Sequence, residues 1–398
     1  MPGWPDGCKD AAVDVAAAAF ESLAAEVSDL LPASAVVVDA HTHLGRDEDG
    51  QALEPAALLA ALDEVGPNAR ACAFALHDPE RAPAYRLPND RVLRWASESE
   101  GRLYPYCRLD PAEQPVAEAE RCLALGARGI KLHPRAQAFG FGDAAAESIW
   151  KVAEQAKVPI LIHAGRGMPP MDSLADLALR YPAVVLVLAH AAIADQGMFA
   201  SRLRDHPNIV YDTSTFSAFD QLELLARVPA ERIVFASDAP YGRPIGALHT
   251  ALRTAMYAGL DEHERGLVVG ATMTAILEGQ PLERPKPPRV PEIRPINGRL
   301  ARLTAYVMMA VAAAASSGPP LDLSRGLQFI ALARAVCRDP DPGSVGPTME
   351  RIDGLLVAAQ QLLADGNELG RSAVGLVIAA GVIAATEPLG DRGGATPA

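Results

Sequence analysis

Four short aliphatic runs in this chain end in histidine. They are "VVVDAHTHLG" with His41 and His43, "GIKLHPRAQ" with His133, "PILIHAGRG" with His163, and "VLVLAHAA" with His190. A fifth run, "IVFASDAPYG", ends in Asp238. Imidazole nitrogens and a carboxylate, with no thiolates among them, suit Zn²⁺, and also Fe²⁺ or Mn²⁺. One histidine at a strand end is more often a hydrogen-bonded core residue than a ligand. Four runs ending in histidine and one ending in aspartate are not independent accidents, and the set points to a divalent-metal site. The remaining histidines, His77, His206, His249 and His263, fall in expected loops or helices and read as ordinary exposed residues.

These residues must be positioned by something. The aliphatic runs alternate with amphipathic segments. Strands are expected at Ala35–Asp39, Ala71–Leu76, Leu103–Arg108, Gly129–His133, Pro159–His163, Val184–His190, Ile209–Thr213 and Ile233–Ser237. Helices are expected between them, at Glu54–Val65, Val116–Leu125, Ala144–Ala156 and Met171–Arg180 among others. Strand and helix in alternation imply βαβ units and a parallel sheet. Eight units over residues 33–280 fit an α/β (β/α)8 TIM barrel better than an open sheet, and such barrels build their sites at the C-terminal ends of the strands. Side chains alternate along a strand, so His41 and His43 share a face, as do Lys131 and His133. By the same rule Asp39 shares the face of His41 at a deeper level, where it could orient a ligand through a hydrogen bond.

The flanks differ in texture. Residues 1–32 carry an Ala-rich helix ending at Pro32. Residues 281–297 are proline-rich and charged, which reads as a stiff linker or a surface strap. Residues 298–388 look all-helical, with candidates at Gly298–Ala314, Leu321–Cys337, Thr348–Ala364 and Glu368–Thr386, and 389–398 reads as a disordered tail. This C-terminal region could cover the barrel mouth, pair two copies of the chain or bind another protein.

Composition excludes several classes. A net charge of -13 disfavours a nucleic-acid binder, which needs a basic face. Five scattered cysteines without CxxC spacing argue against a disulfide framework and for reduced thiols in a cytoplasm. No signal peptide is expected, and the longest uncharged apolar runs, Leu303–Ala315 and Ala373–Ala385, fall well short of the roughly 20 residues that span a bilayer. No GxGxxG follows an early strand, so no dinucleotide or other organic cofactor is expected. The expected partner is a small-molecule substrate.

The HxH on the first strand, the histidines on the fifth and sixth, and the acid on the eighth resemble the amidohydrolase superfamily. The likeness is to its amidohydrolase-related branch, which includes aminocarboxymuconate-semialdehyde decarboxylase-like proteins. It covers about residues 33–280 and is silent on 298–398. The resemblance implies a metal-dependent hydrolase with His41, His43, His163 and Asp238 as metal ligands. It leaves His190 either as a ligand or as a catalytic group beside the water. It also raises Lys131 as a carboxylated bridge between two metals, although "KLHP" here departs from the "KLYP" of two-metal relatives. One metal, most simply Zn²⁺, is the plainer expectation; two stay open.

A divalent cation lowers the pKa of the water it holds from about 16 toward 7 and polarises a carbonyl. Asp238 is then placed to move the proton and His190 to orient or stabilise. The expected reaction is hydrolysis of an amide, ester or lactone. Non-oxidative decarboxylation on the same site is the alternative, and a non-catalytic metal-bound scaffold is the third reading. His133, Arg135, Arg166 and Tyr241 follow strand ends and are the candidate substrate contacts, joined more weakly by Arg108, Gln137 and Arg243; each could equally be a loop brace. The arginines suit a carboxylated small molecule.

Overall fold

The computed structural model describes residues 7–165, 168, 172–193, 195–215, 217–289, 297–316, 322–364 and 370–387. Among these residues nine strands form one sheet: β1 Val38–Arg46, β2 Ala52–Leu53, β3 Arg70–Ala75, β4 Leu103–Arg108, β5 Gly129–Leu132, β6 Ile160–Ile162, β7 Leu186–Leu188, β8 Ile209–Asp212 and β9 Ile233–Val234. Their order is β2-β1-β3-β4-β5-β6-β7-β8-β9. Only the β1–β2 pair is antiparallel; the other eight strands are mutually parallel. The sheet closes where β9 returns to β1. Ala40 N–H donates to Phe235 C=O at 2.9 Å, Asp238 N–H to His41 C=O at 2.9 Å, and His43 N–H to Ala239 C=O at 2.7 Å. The protein is therefore an eight-stranded TIM barrel, with β2 as a short hairpin partner outside it.

β1 is longer than expected and β9 shorter, for related reasons. β1 continues through His41 and His43 because β3 pairs as far as Leu44↔Ala75 and the end of β9 pairs on the other side. β9 stops at Val234 as a ladder, and its continuation bends at Asp238, whose φ is +57°.

Inward side chains fill the barrel: Ala40, Cys72, Phe74, Tyr106, Leu161 and Val187 belong to one buried cluster, capped at the bottom by Met273, Ile276 and Leu277. Gly129 is required beside this filling, since a Cβ there would stand 2.5 Å from the Tyr106 ring. Outward faces pack on the helices, for example Ile130 and Leu132 against Ile149 and Trp150.

Helices at Gly298–Ala315, Leu327–Cys337, Gly346–Ala364 and Gly370–Ala385 share a second core. The helix Gly7–Leu30 joins both: Leu23 packs in the helical core, and Val27 and Leu30 pack against the barrel. An ion-pair cluster ties the parts together. Glu26 accepts from Arg351 Nη2 at 2.5 Å, from Arg253 Nη1, and meets His249 Nε2 at 2.8 Å. His249 is thus fully buried, not exposed as expected; its helix faces inward at this seam and a carboxylate receives it. In the proline-rich segment, the described residues run along the barrel, with Arg289 bonded to Glu264 at 3.0 Å. Among the described residues, no helix is long and apolar enough to cross a membrane.

Candidate metal centre at the barrel mouth

The site stands on one irregularity in β1. The β1–β3 register slips between Asp39 and Thr42, so simple alternation does not run through the strand. Val38 and Ala40 face the barrel filling, and after the bulge His41 and His43 face the mouth. Asp39 does not sit beneath the ligands on their face. Its Oδ1 accepts from the backbone amides of His41 at 3.1 Å and Ser237 at 3.0 Å, which clamps β1 to the β9 end. Asp39 touches no ligand ring, which corrects the expectation from parity. Burial raises its carboxyl to about 7, against the pull of those hydrogen bonds.

Three donor atoms converge above the clamp. His41 Nε2 lies 3.2 Å from His43 Nε2 and 3.1 Å from Asp238 Oδ1, and His43 Nε2 lies 3.2 Å from the same oxygen. Four ligands tetrahedrally arranged at 2.0–2.1 Å would stand roughly 3.3 Å apart, so the spacing fits a small divalent cation. The chemistry of the donors fits too. His41 Nδ1 faces Asp212 Oδ2 at 2.9 Å, so that nitrogen carries the proton and Nε2 is a bare lone pair. A lone pair held against another imidazole nitrogen and a carboxylate is repulsive until a cation lies between them. Burial first, then nearby cationic groups, holds His41 well below its usual range, and burial does the same for His43 against the opposing pull of Asp238. Neutral imidazoles are the ligating form.

His190 comes from a different device. By the alternation of β7 it would face the helices, but His190, Ala191 and Ala192 all have φ near +55° and turn the chain back. Its Nδ1 faces Ser214 C=O at 2.8 Å, so its Nε2 is presented to the mouth. His41, His190 and Asp238 each bring a ligand atom within 4.8 Å of the others. His163 joins through His190, with Nδ1 2.9 Å from His190 Nε2, and its own Nε2 is buried without a hydrogen-bond partner. Gly165 makes this possible: a Cβ there would stand 2.9 Å from His163 Nε2 and 3.2 Å from His190 Cδ2.

Lys131 is fully buried, with Nζ 3.1 Å from His41 Nε2 and 4.6 Å above the Phe74 ring. Burial lowers its pKa to about 7, so the neutral amine is accessible at neutral pH.

The substrate candidates separate. His133 stacks on His163 at 3.9 Å, within the site. Tyr241 stands edge-on to His43 at 5.8 Å and donates to Asp47 Oδ2 at 3.0 Å, at the rim. Arg135 is exposed, and Arg166 lies outside the described residues. Gln137 braces the backbone of His133, and Arg243 pairs with Glu64, so both hold loops.

Sequence reasoning missed Asp212. It sits at the end of β8, fully buried, and holds three parts of the site: the His41 ring through Oδ2, and His190 N–H at 2.8 Å and Ser214 Oγ–H at 2.6 Å through Oδ1. The rule that singled out His163 and Asp238 as strand-end polar residues applies equally to "IVYDTS", so the signal was present.

Residues 38–270 match the family model described as Amidohydrolase. Among solved structures, similar chains include a probable 2-pyrone-4,6-dicarboxylic acid hydrolase from Acinetobacter baumannii, at 14% identity and a TM-score of 0.47, covering 61% of this chain and 99% of that one. A 2,6-dihydroxybenzoate decarboxylase from Rhizobium is similar at 15% identity and a TM-score of 0.48, over 61% and 99% of the two chains. A 4-oxalomesaconate hydratase from Rhodopseudomonas palustris is similar at 15% and 0.47, over 61% and 96%. No curated protein matches the chain.

Proposed function

We propose, from the premise that this chain belongs to the amidohydrolase family of enzymes, that it is a metal-dependent hydrolase acting on an amide, ester or lactone of a small carboxylated molecule. The observation that carries this reading is the meeting of His41 Nε2, His43 Nε2 and Asp238 Oδ1 within 3.1–3.2 Å, with His41 Nδ1 committed to Asp212. The donor set would hold one divalent cation, Zn²⁺ by its nitrogen-rich character, with His190 and His163 beside it. When bound, the cation supplies an acidified water and a Lewis acid for the scissile carbonyl.

The chain's own groups do the rest. Asp238, about 12% exposed at its side chain, offers carboxylate oxygens to take a proton from the attacking water and return it to the leaving group. His190, with Nδ1 tied to Ser214 C=O, keeps Nε2 aimed at the same space and orients the water. Asp212 holds the His41 tautomer and the His190 backbone together, so the ligand His41 and the water-orienting His190 keep their positions through the cycle. The four described cysteines, Cys72, Cys107, Cys122 and Cys337, are unpaired, in keeping with a cytoplasmic enzyme.

The test is metal analysis of the purified protein, followed by a screen of lactones, esters, amides and aromatic acids with CO₂ detection. Bound metal and hydrolysis that drops by about 10²–10⁴-fold in Asp238→Asn support the reading. Release of CO₂ from an acid with no hydrolytic product would assign the site to decarboxylation. A protein that binds no divalent metal would overturn both.

A further inference from the structure

One buried arginine has an unusual bond inventory. Arg108 ends β4 on the inward side, two residues beyond Tyr106 of the barrel filling, and is only 1% exposed. Its Nη1 donates to Ala75 C=O at 3.0 Å, and its guanidinium carbon lies 5.1 Å from the Tyr85 ring centroid. Its Nε and Nη2 have no hydrogen-bond partner, and among the described residues no carboxylate pairs with it. The acid nearest in effect, Asp47, is spent on Tyr241 O–H and on the His77 amide. A buried guanidinium without a counter-ion is costly to keep. The two idle atoms are also a matched pair: Nε–H and Nη2–H lie side by side on one edge and point the same way, the fork that receives both oxygens of a carboxylate.

The position of that edge is fixed by the ladder. Arg108 pairs with Lys131 across β4–β5, and Lys131 Nζ touches His41 Nε2. Adjacent strands lie about 4.8 Å apart, so the fork stands within one small molecule of the three converging donors. Tyr85 stacks near the guanidinium and is held by His77, whose Nδ1 lies 2.6 Å from the Tyr85 hydroxyl. Ala75 C=O and Tyr85 together fix the plane, so the unpaired edge is held in place.

We propose that Arg108 is the substrate anchor, receiving a carboxylate of the substrate bidentately through Nε and Nη2 while the scissile group lies at the His41–His43–Asp238 cluster. This rests on the metal-assisted reading of the mouth and adds a residue and a ligand chemistry to it. The anchor sets specificity: acids are selected over their neutral amides, and a guest in the mouth supplies the counter-ion the fold withholds.

The experiment uses the full chain stripped of metal with EDTA, so that no carboxylate binds through a cation. Benzoate, benzamide and inorganic phosphate are titrated by calorimetry into wild type, Arg108→Lys and Arg108→Met. Benzoate is expected to bind wild type, benzamide not, and Arg108→Met to lose at least about tenfold in benzoate affinity. Arg108→Lys, which keeps the charge without the fork, is expected to fall between them, and it carries the test if the methionine variant does not fold. Equal benzoate binding in wild type and either variant, binding of benzamide as strong as benzoate, or no benzoate binding at all would overturn the proposal. Tighter binding of phosphate than of benzoate would overturn the carboxylate assignment. None of these outcomes depends on metal, so failure of the anchor and failure of the hydrolase reading are read separately.

Discussion

Asparagine at position 212 should disable the metal centre without disturbing the barrel. Three donors converge on Asp212 Oδ1: His190 N–H at 2.8 Å, Ser214 N–H at 2.9 Å and Ser214 Oγ–H at 2.6 Å. Oδ2 alone faces His41 Nδ1, at 2.9 Å. An asparagine has one oxygen, and the three donors claim it. Its NH₂ then points at His41 Nδ1–H, donor against donor. His41 escapes by moving its proton to Nε2, the atom that lies 3.1–3.2 Å from Asp238 Oδ1 and His43 Nε2. A protonated Nε2 cannot ligate. Loss of such an orienting partner costs about 10–100-fold in metal affinity, or about 1.4–2.7 kcal/mol at 1.36 kcal/mol per tenfold. The assay is competition with a chromophoric chelator for Zn²⁺, alongside circular dichroism to confirm folding. Asp39→Asn is the control. Its Oδ1 accepts the backbone amides of His41 and Ser237 and its carboxyl touches no ligand ring, so the amide can take its place and affinity should hold. A folded Asp212→Asn with wild-type affinity, or an Asp39→Asn that loses as much, would refute the tautomer argument.

Gly165→Ala should lower activity by up to about 100-fold with little change in Tm, because the added Cβ must push His163 and His190 out of line; a fully active variant would show that those rings need no fixed place. Metal analysis should give one ion per chain, and Lys131→Met should leave that ratio unchanged, since Lys131 meets the cluster as an amine on His41; two ions in wild type, falling in the variant, would instead reveal a bridging carbamate. Glu26→Gln should cost about 3–5 kcal/mol at pH 7, because it strips the carboxylate from Arg253, Arg351 and His249. Burial alone would raise the Glu26 pKa, but its partners outweigh burial and hold it well below the usual glutamate value of 4.5. A depressed folded pKa gives stability that is present above the unfolded value and lost as pH falls below it. The gap between wild type and Glu26→Gln, read by urea denaturation, should therefore be full at pH 7 and shrink below about pH 4.5; a gap that is constant with pH would contradict this.

Much of the site was legible because strand-end position is a local property. His41, His43, His163, His190 and Asp238 each close an aliphatic run, and a parallel barrel carries all such ends to one face. The residues that depend on fine backbone geometry were harder to place. Parity put Asp39 under His41, but the bulge between Asp39 and Thr42 breaks parity and leaves Asp39 bonding backbone amides. His190 reaches the mouth only through three consecutive left-handed residues, which no residue-type pattern announces in "HAA". His249 looked like a surface helix residue because its partner, Glu26, is far away along the chain.

The sequence by itself determined the periodicity of strand and helix, the eight strands of the barrel and the supply of nitrogen and oxygen donors. These follow from composition over short windows, where side-chain alternation and helix spacing act. Tertiary structure alone decided which donors share a cation-sized space and which tautomer each imidazole holds. It also decided that Arg108 is buried with Nε and Nη2 unpaired. Those properties depend on which atoms from distant strands fill the hydrogen-bonding positions around each group. Asp212 on His41, Ser214 on His190 and, among the described residues, the lack of an acid paired with Arg108 are facts about neighbours across the barrel, and the chain order does not contain them.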